Sequence, residues 1–250
     1  MQLGIIGDWT DAGFAYAAKL GLSYIEFCVN VGSDAYEFAA RSGEIFGYTK
    51  KYGIKVSAVG RFGTKRIGDD GVMNEDEFNS DIAMIGAASK IGSPFFMCGV
   101  NAVPGKSFEE NVEIAVDYLK KLTDYAGERN VTILLYNCDW GNFIHSPDTW
   151  DAVLPRVAGV GIKYDPSHCY ERGNDPLAEL RDYGKKVGHF HVKGSVFIGG
   201  KHFDDPPAGL DMTPWGAVKD MLYAADYNGV LSIEPHSRIW TSGARGEWGI

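Results

Sequence analysis

Short runs of β-branched and aromatic residues alternate with longer amphipathic stretches along this chain, and that alternation limits its fold more than any other feature. Strands are predicted over residues 3–6, 24–29, 55–59, 95–99, 131–137, 160–164, 187–193 and 230–233, and helices over 12–20, 35–52, 75–91, 107–129, 147–157, 176–183 and 213–226. The clearest helix places Val112, Ala115, Val116, Leu119 and Leu122 at helical spacing behind a Ser107-x-x-Glu110 capping box. Gly21, Gly53, Gly92 and Gly229 follow helical patterns and precede strands, where a left-handed C-cap needs no side chain.

Strands alternating with helices form right-handed crossovers and a parallel sheet. Eight of them imply closure into an α/β (β/α)8 TIM barrel, read as one domain over residues 1–250. An open dinucleotide-binding sheet is disfavoured, because Gly7-Asp8-Trp9-Thr10-Asp11-Ala12-Gly13 after the first strand lacks the G-x-G-x-x-G fingerprint. Beyond the eighth strand the segment from Ser237 to Ile250 is mostly polar and Gly-rich. A barrel lacking its final helix is therefore expected, with either a clipped chain or a homo-oligomer covering that flank.

With 24 basic and 33 acidic side chains the net charge is −9, which disfavours nucleic acid, whose affinity is built from Lys and Arg neutralising phosphates. No apolar run approaches the ~18 residues of a membrane span, and Met1 to Asp8 lacks the basic start of a signal peptide. Cys28, Cys98, Cys138 and Cys169 are widely spaced without C-x-x-C and read as reduced thiols. A cytoplasmic protein with no membrane partner is expected.

In such a barrel the chemistry stands at the C-terminal strand ends. The sixth strand ends Lys163-Tyr164-Asp165-Pro166-Ser167-His168, which taken alone reads more simply as a turn-capping Asp beside a surface His. In the seventh, alternation puts His189, His191 and Lys193 on one face and Phe190 and Val192 on the other. Phe and Val suit the layer under the helices, so the polar three face the interior, where a metal or an anion would offset their burial. In the eighth, Ser232, Glu234 and His236 share a face, and in the second Glu26 opposes Ile25 and Phe27. Together Asp165, His191 and Glu234 form an O, N, O set suited to Mn²⁺, Mg²⁺, Co²⁺ or Zn²⁺.

These segments, with the loop Pro206-Pro207-Ala208-Gly209 leading to Trp215, resemble the xylose isomerase-like barrel superfamily and its sugar phosphate isomerase/epimerase branch. The resemblance implies that Asp165, His191 and Glu234 are metal ligands and that His168 touches a carbohydrate substrate. It implies a metal-dependent isomerase or epimerase that moves a proton beside a carbonyl through an enediolate. The chain departs from the pattern twice. Tyr136 stands where a strand-5 Glu is usual, leaving Asn137, Cys138 or Asp139 as substitutes, and Gly194 stands where an acidic residue commonly follows the H-x-H-x-K run.

The assigned roles follow. Glu234, Tyr136 and His168 are the expected catalytic groups, Tyr136 through phenol-assisted proton transfer. His168, Lys193, Arg61, Trp140 and Glu26 are the expected substrate contacts, with Lys193 and Arg61 anchoring a phosphate or hydroxyl and Trp140 stacking on a sugar face. Two alternatives stand beside this reading: a dehydratase or lyase of the inositol-catabolism type using the same chemistry, and a non-catalytic sugar-binding barrel, motivated by Tyr136. A repair endonuclease of the same superfamily conflicts with the negative charge.

Overall fold

A computed structural model describes residues 1–240. The strands are β1 (Gln2–Ile6), β2 (Tyr24–Cys28), β3 (Lys55–Gly60), β4 (Phe95–Cys98), β5 (Thr132–Tyr136), β6 (Val160–Tyr164), β7 (Val187–Val192), β8 (Val196–Ile198), β9 (Lys201–Asp204) and β10 (Val230–Ile233). All but β8 and β9 pair in parallel in chain order, and β10 closes back onto β1 with Gln2 opposite Val230 and Ile5 opposite Ile233. The expected closed TIM barrel is the fold. β8 and β9 form a separate antiparallel hairpin beyond β7, inside a stretch that carries no clear period-2 alternation.

Helices α1 (Asp11–Lys19), α2 (Ala35–Ala40), α3 (Ser42–Tyr52), α4 (Glu75–Ile91), α5 (Phe108–Gly127), α6 (Pro147–Val153), α7 (Pro166–Glu171), α8 (Pro176–Tyr183) and α9 (Trp215–Ala224) lie between the strands. The expected 35–52 helix breaks at Arg41, and the 147–157 helix ends in a short 3₁₀ turn, Leu154–Arg156, where Pro155 brings no N–H to the ladder. The Ser107–Glu110 capping box forms reciprocally, with Glu110 N donating to Ser107 Oγ and Ser107 N to Glu110 Oε2. Gly21, Gly53 and Gly92 are left-handed as expected, but Gly229 is not. After α9 the left-handed residue is Asp226, at φ 58, and Gly229 instead lies so close under the Tyr227 ring that a Cβ there would meet its hydroxyl at 2.5 Å. Among the described residues no helix follows β10; residues 241–250, on which that expectation also falls, lie outside them. No helix among the described residues is long and apolar enough to cross a membrane.

Outward-facing residues such as Ile25, Phe27, Ile133, Leu135, Ile162, Tyr164 and Phe190 build the main core beneath the helices. A smaller cluster of Ala58, Phe62, Met97, Leu134 and Tyr136 fills part of the barrel interior. The long loop after β3 is fastened to α4 by two buried ion pairs. Arg61 reaches Glu77 through Nε and Nη2, at 2.5 and 3.0 Å, and the fully buried Arg66 reaches Asp81 at 2.7 and 2.9 Å. Tyr118 completes the second pair by donating its hydroxyl to Asp81 Oδ2 at 2.8 Å. Breaking such a pair from one side strands a charge in the interior. Asp81→Ala is expected to lower stability by about 3–5 kcal/mol, read as a lower denaturation midpoint in urea.

Candidate metal and sugar site

Alternation along β7 turns His189 and His191 into the barrel, where both rings meet Glu26 of β2. His189 Nε2 lies 2.8 Å from Glu26 Oε2 and His191 Nε2 lies 2.8 Å from Glu26 Oε1. Burial alone would push the Glu26 carboxyl up, but His191 and His189 outweigh it and hold the group well below the usual carboxylate range. Glu26, expected as a substrate contact, is fully buried and bound to two protein partners.

The second nitrogen of His191 faces the mouth. Its Nδ1 lies 2.8 Å from Glu234 Oε2, and Glu234 is set just past β10 by its own N–H, which donates to Val192 O at 3.1 Å. With a carboxylate on each nitrogen, the ring holds both protons more firmly than a free imidazole. Burial opposes that, yet Glu26 and Glu234 prevail and the His191 pKa is raised. His189 keeps only Glu26, and burial lowers its pKa.

Asp165, expected as a turn cap, caps a short helix. It is the N-cap of α7, with Oδ1 accepting from Ser167 N at 2.9 Å and Pro166 at the first helical position. Its other oxygen, Oδ2, is buried and makes no hydrogen bond. Three cationic groups surround that atom: Lys193 Nζ at 3.4 Å, His168 Nε2 at 3.5 Å and Lys163 Nζ at 3.9 Å. Burial would raise the carboxyl, but Lys193, His168 and Lys163 bring it down to about 2. Ligand atoms of Asp165, His191 and Glu234 all lie within 4.8 Å of one another, so the three residues expected as a set do converge. The donor set fits a divalent cation: two carboxylates, one imidazole nitrogen, and an oxygen without a hydrogen bond.

His168 is brought to the site and is held at the back by Glu171, whose Oε2 lies 2.7 Å from His168 Nδ1. Burial would lower its pKa, yet Asp165 carries it up to about 9. Lys193 is also present, 3.4 Å from His168 Nε2. Lys163 was not singled out from the sequence, although its position two residues before Asp165 on the same strand carried the signal. Asn137 ties the ends of β5 and β6 together, donating to Asp165 O at 2.8 Å and accepting from Asp165 N at 3.0 Å.

Two other expected residues are committed elsewhere. The Tyr136 ring packs on Phe62, with centroids 4.6 Å apart; its hydroxyl donates to Trp140 O at 2.8 Å and accepts from Gly63 N at 3.4 Å. Burial raises its pKa further, and its hydroxyl fastens the loops that carry Trp140 and Gly63. Arg61 spends its guanidinium on Glu77 and on the carbonyls of Val29 and Ser33, which leaves the expected substrate anchor tied into the β3 loop. Trp140 is about half exposed at the rim, its indole against Gly63, where a Cβ would come within 2.4 Å of the ring. Gly194 has a backbone reason as well: a Cβ there would sit 2.0 Å from Pro206 O.

The sequence matches the profile of the xylose isomerase-like TIM barrel over residues 14–248. The chain belongs to that family. No curated protein matches the sequence significantly. Among solved structures, D-allulose 3-epimerase from Methylomonas sp. superposes with a TM-score of 0.76 at 17% identity, over 100% of this chain and 92% of that one. A xylose isomerase domain protein from Planctomyces limnophilus gives 0.75 at 18% identity, covering 93% and 90% of the two chains. The IOLI protein, solved with a bound zinc atom, gives 0.70 at 20% identity, covering 94% and 88%. At these identities the likeness speaks for the shared xylose isomerase-like fold alone.

The His168–Asp165 pair has a pH signature. A pKa raised from 6.5 to about 9 on folding contributes stability that is fully present below 6.5 and is lost as pH rises through 9. The melting temperature of the metal-free protein is expected to fall between these limits, and His168→Gln is expected to flatten that fall in thermal scans.

Proposed function

We propose that this xylose isomerase-like barrel is a divalent-metal-dependent isomerase or epimerase of a monosaccharide or its phosphate. The observation that carries the reading is the convergence of Asp165, whose Oδ2 has no hydrogen bond, with His191 and Glu234 at the barrel mouth. Asp165, His191 and Glu234 are the residues that would hold the ion. A bound Mn²⁺, Mg²⁺, Co²⁺ or Zn²⁺ would supply Lewis-acid polarisation of a carbonyl and so ease loss of the proton on the neighbouring carbon.

The protein's own groups divide the remaining work. Glu26 holds His191 by Nε2 and leaves Nδ1 for the cation, the outer-shell arrangement that fixes ring orientation and raises ligand basicity. Lys193 and Lys163 place two ammonium groups where negative charge develops on sugar oxygens. His168, steadied by Glu171, meets a hydroxyl, and Trp140 offers an apolar face at the rim. The sugar epimerases among the structural neighbours support a carbohydrate substrate. A non-catalytic sugar-binding barrel is the second reading, favoured by the commitment of the Tyr136 hydroxyl to backbone groups.

Calorimetric titration with Mn²⁺ and Zn²⁺ tests the proposal. One site per chain is expected, lost in Asp165→Ala, with affinity rising with pH as His191 gives up its Nδ1 proton. Failure of both ions to bind would remove the metal-dependent reading. Glu26→Gln is expected to weaken binding about 10–100-fold while leaving one site per chain, read in the same titration.

A further inference from the structure

α7 carries Asp165 at its cap and His168 within it, yet its six residues are too few to hold a helix in place by their own hydrogen bonds. Its position has to come from its ends. β5 and β6 pair as far as Tyr136 opposite Lys163. One step further, the fully buried side chain of Asn137 takes over from the ladder. Its amide donates to Asp165 O at 2.8 Å, and its carbonyl oxygen accepts from Asp165 N at 3.0 Å. Both backbone groups of the capping residue are thereby fixed.

The other end of α7 is held through the same residue. Arg172, its C-cap, donates from Nη1 to Asn137 O at 2.8 Å, and from Nη2 to both carboxylate oxygens of Glu179 in α8, each at 3.0 Å. Glu179 is buried and has two further donors: the Tyr164 hydroxyl at the end of β6, 3.0 Å from Oε2, and the Asn174 side-chain amide, 2.9 Å from Oε1. Asn137 therefore bonds the residues that flank α7 on both sides, and Arg172 anchors the asparagine in turn to α8. We propose that Asn137 and Arg172 are positioning residues for the ligand Asp165, with Arg172 acting through Asn137, a role that rests on the metal-dependent reading above.

The clamp matters because Asp165 stands among competing cations. Its Oδ1 is taken by Ser167 N, while Oδ2 has Lys193, His168 and Lys163 at 3.4, 3.5 and 3.9 Å. A carboxylate on a mobile loop would swing toward one of these groups and close the ion pair at hydrogen-bond distance. With its backbone N–H and C=O both bonded and one oxygen committed to the cap, Asp165 keeps little freedom to do so. Oδ2 stays without a hydrogen bond, open to a cation. Partners behind a metal ligand act by fixing its orientation, so losing this clamp is expected to weaken ion binding while the barrel persists.

Calorimetric titration with Mn²⁺ and amide hydrogen exchange test the assignment together. Asn137→Ala and Arg172→Met, the latter keeping the apolar stem, are each expected to bind Mn²⁺ about 10–100-fold more weakly than wild type, still at one site per chain. The double variant is expected to lose no more than Asn137→Ala alone, because the two residues act as a unit. Asp81→Ala, which lowers stability through the β3 loop, is expected to bind Mn²⁺ within about threefold of wild type, so lost stability alone does not move the readout. In metal-free Arg172→Met, exchange is expected to speed up about tenfold more at residues 165–172 than in α5. Mn²⁺ affinity within about threefold of wild type in either single variant, additive losses in the double variant, or equal acceleration in the two segments overturns this proposal alone. A wild type that binds neither Mn²⁺ nor Zn²⁺ overturns it together with the metal-dependent reading. Should Asn137→Ala fail to fold, Arg172→Met carries both measurements.

Discussion

The centre of this barrel depends on one carboxylate held between two imidazoles. Glu26 enters from β2 and both histidines from β7, strands separated in the closed sheet by β1 and β10. A carboxylate in that interior would be costly if left unpaired, and two neutral histidines side by side would lack a common acceptor. Joined, they satisfy one another and span the barrel's width. Nearer the mouth, His191 is aimed by this contact, Glu234 meets the nitrogen it leaves free, and Asp165 completes the set from the neighbouring strand end.

Above that layer the loops are fastened by side chains that look functional in a linear reading. Arg61 and Arg66 bind the β3 loop to α4, and Tyr136 joins that loop to the one after β5 through Gly63 and Trp140. The phenol at the end of β5 thereby ties the rim together.

Much of this was legible because periodicity is a short-range property. The alternation in β7 announced two inward histidines, and Asp165, His191 and Glu234 lay at strand ends that a barrel must bring together. The unread parts depend on contacts between residues distant in sequence. Nothing in Tyr136 or Arg61 themselves tells that a backbone carbonyl or a glutamate 16 residues away will claim them. The β8–β9 hairpin carries no strong period, and α7 is too short for its pattern to stand out beside Pro166. Glu26 was visible as inward-facing, but only closure of the barrel, which sets β2 across from β7, decides whether such a group meets solvent or histidine.

Asp165 holds two posts at once, capping a helix with one oxygen and offering the other to the site. The first post is worth about 1 kcal/mol to the fold whether or not any ion is ever bound. A lineage that abandoned the chemistry would still be penalised for losing a short polar acceptor at this position. Natural selection on folding alone therefore shelters a ligand, and a barrel of this design that has fallen silent stays only a few substitutions from working again.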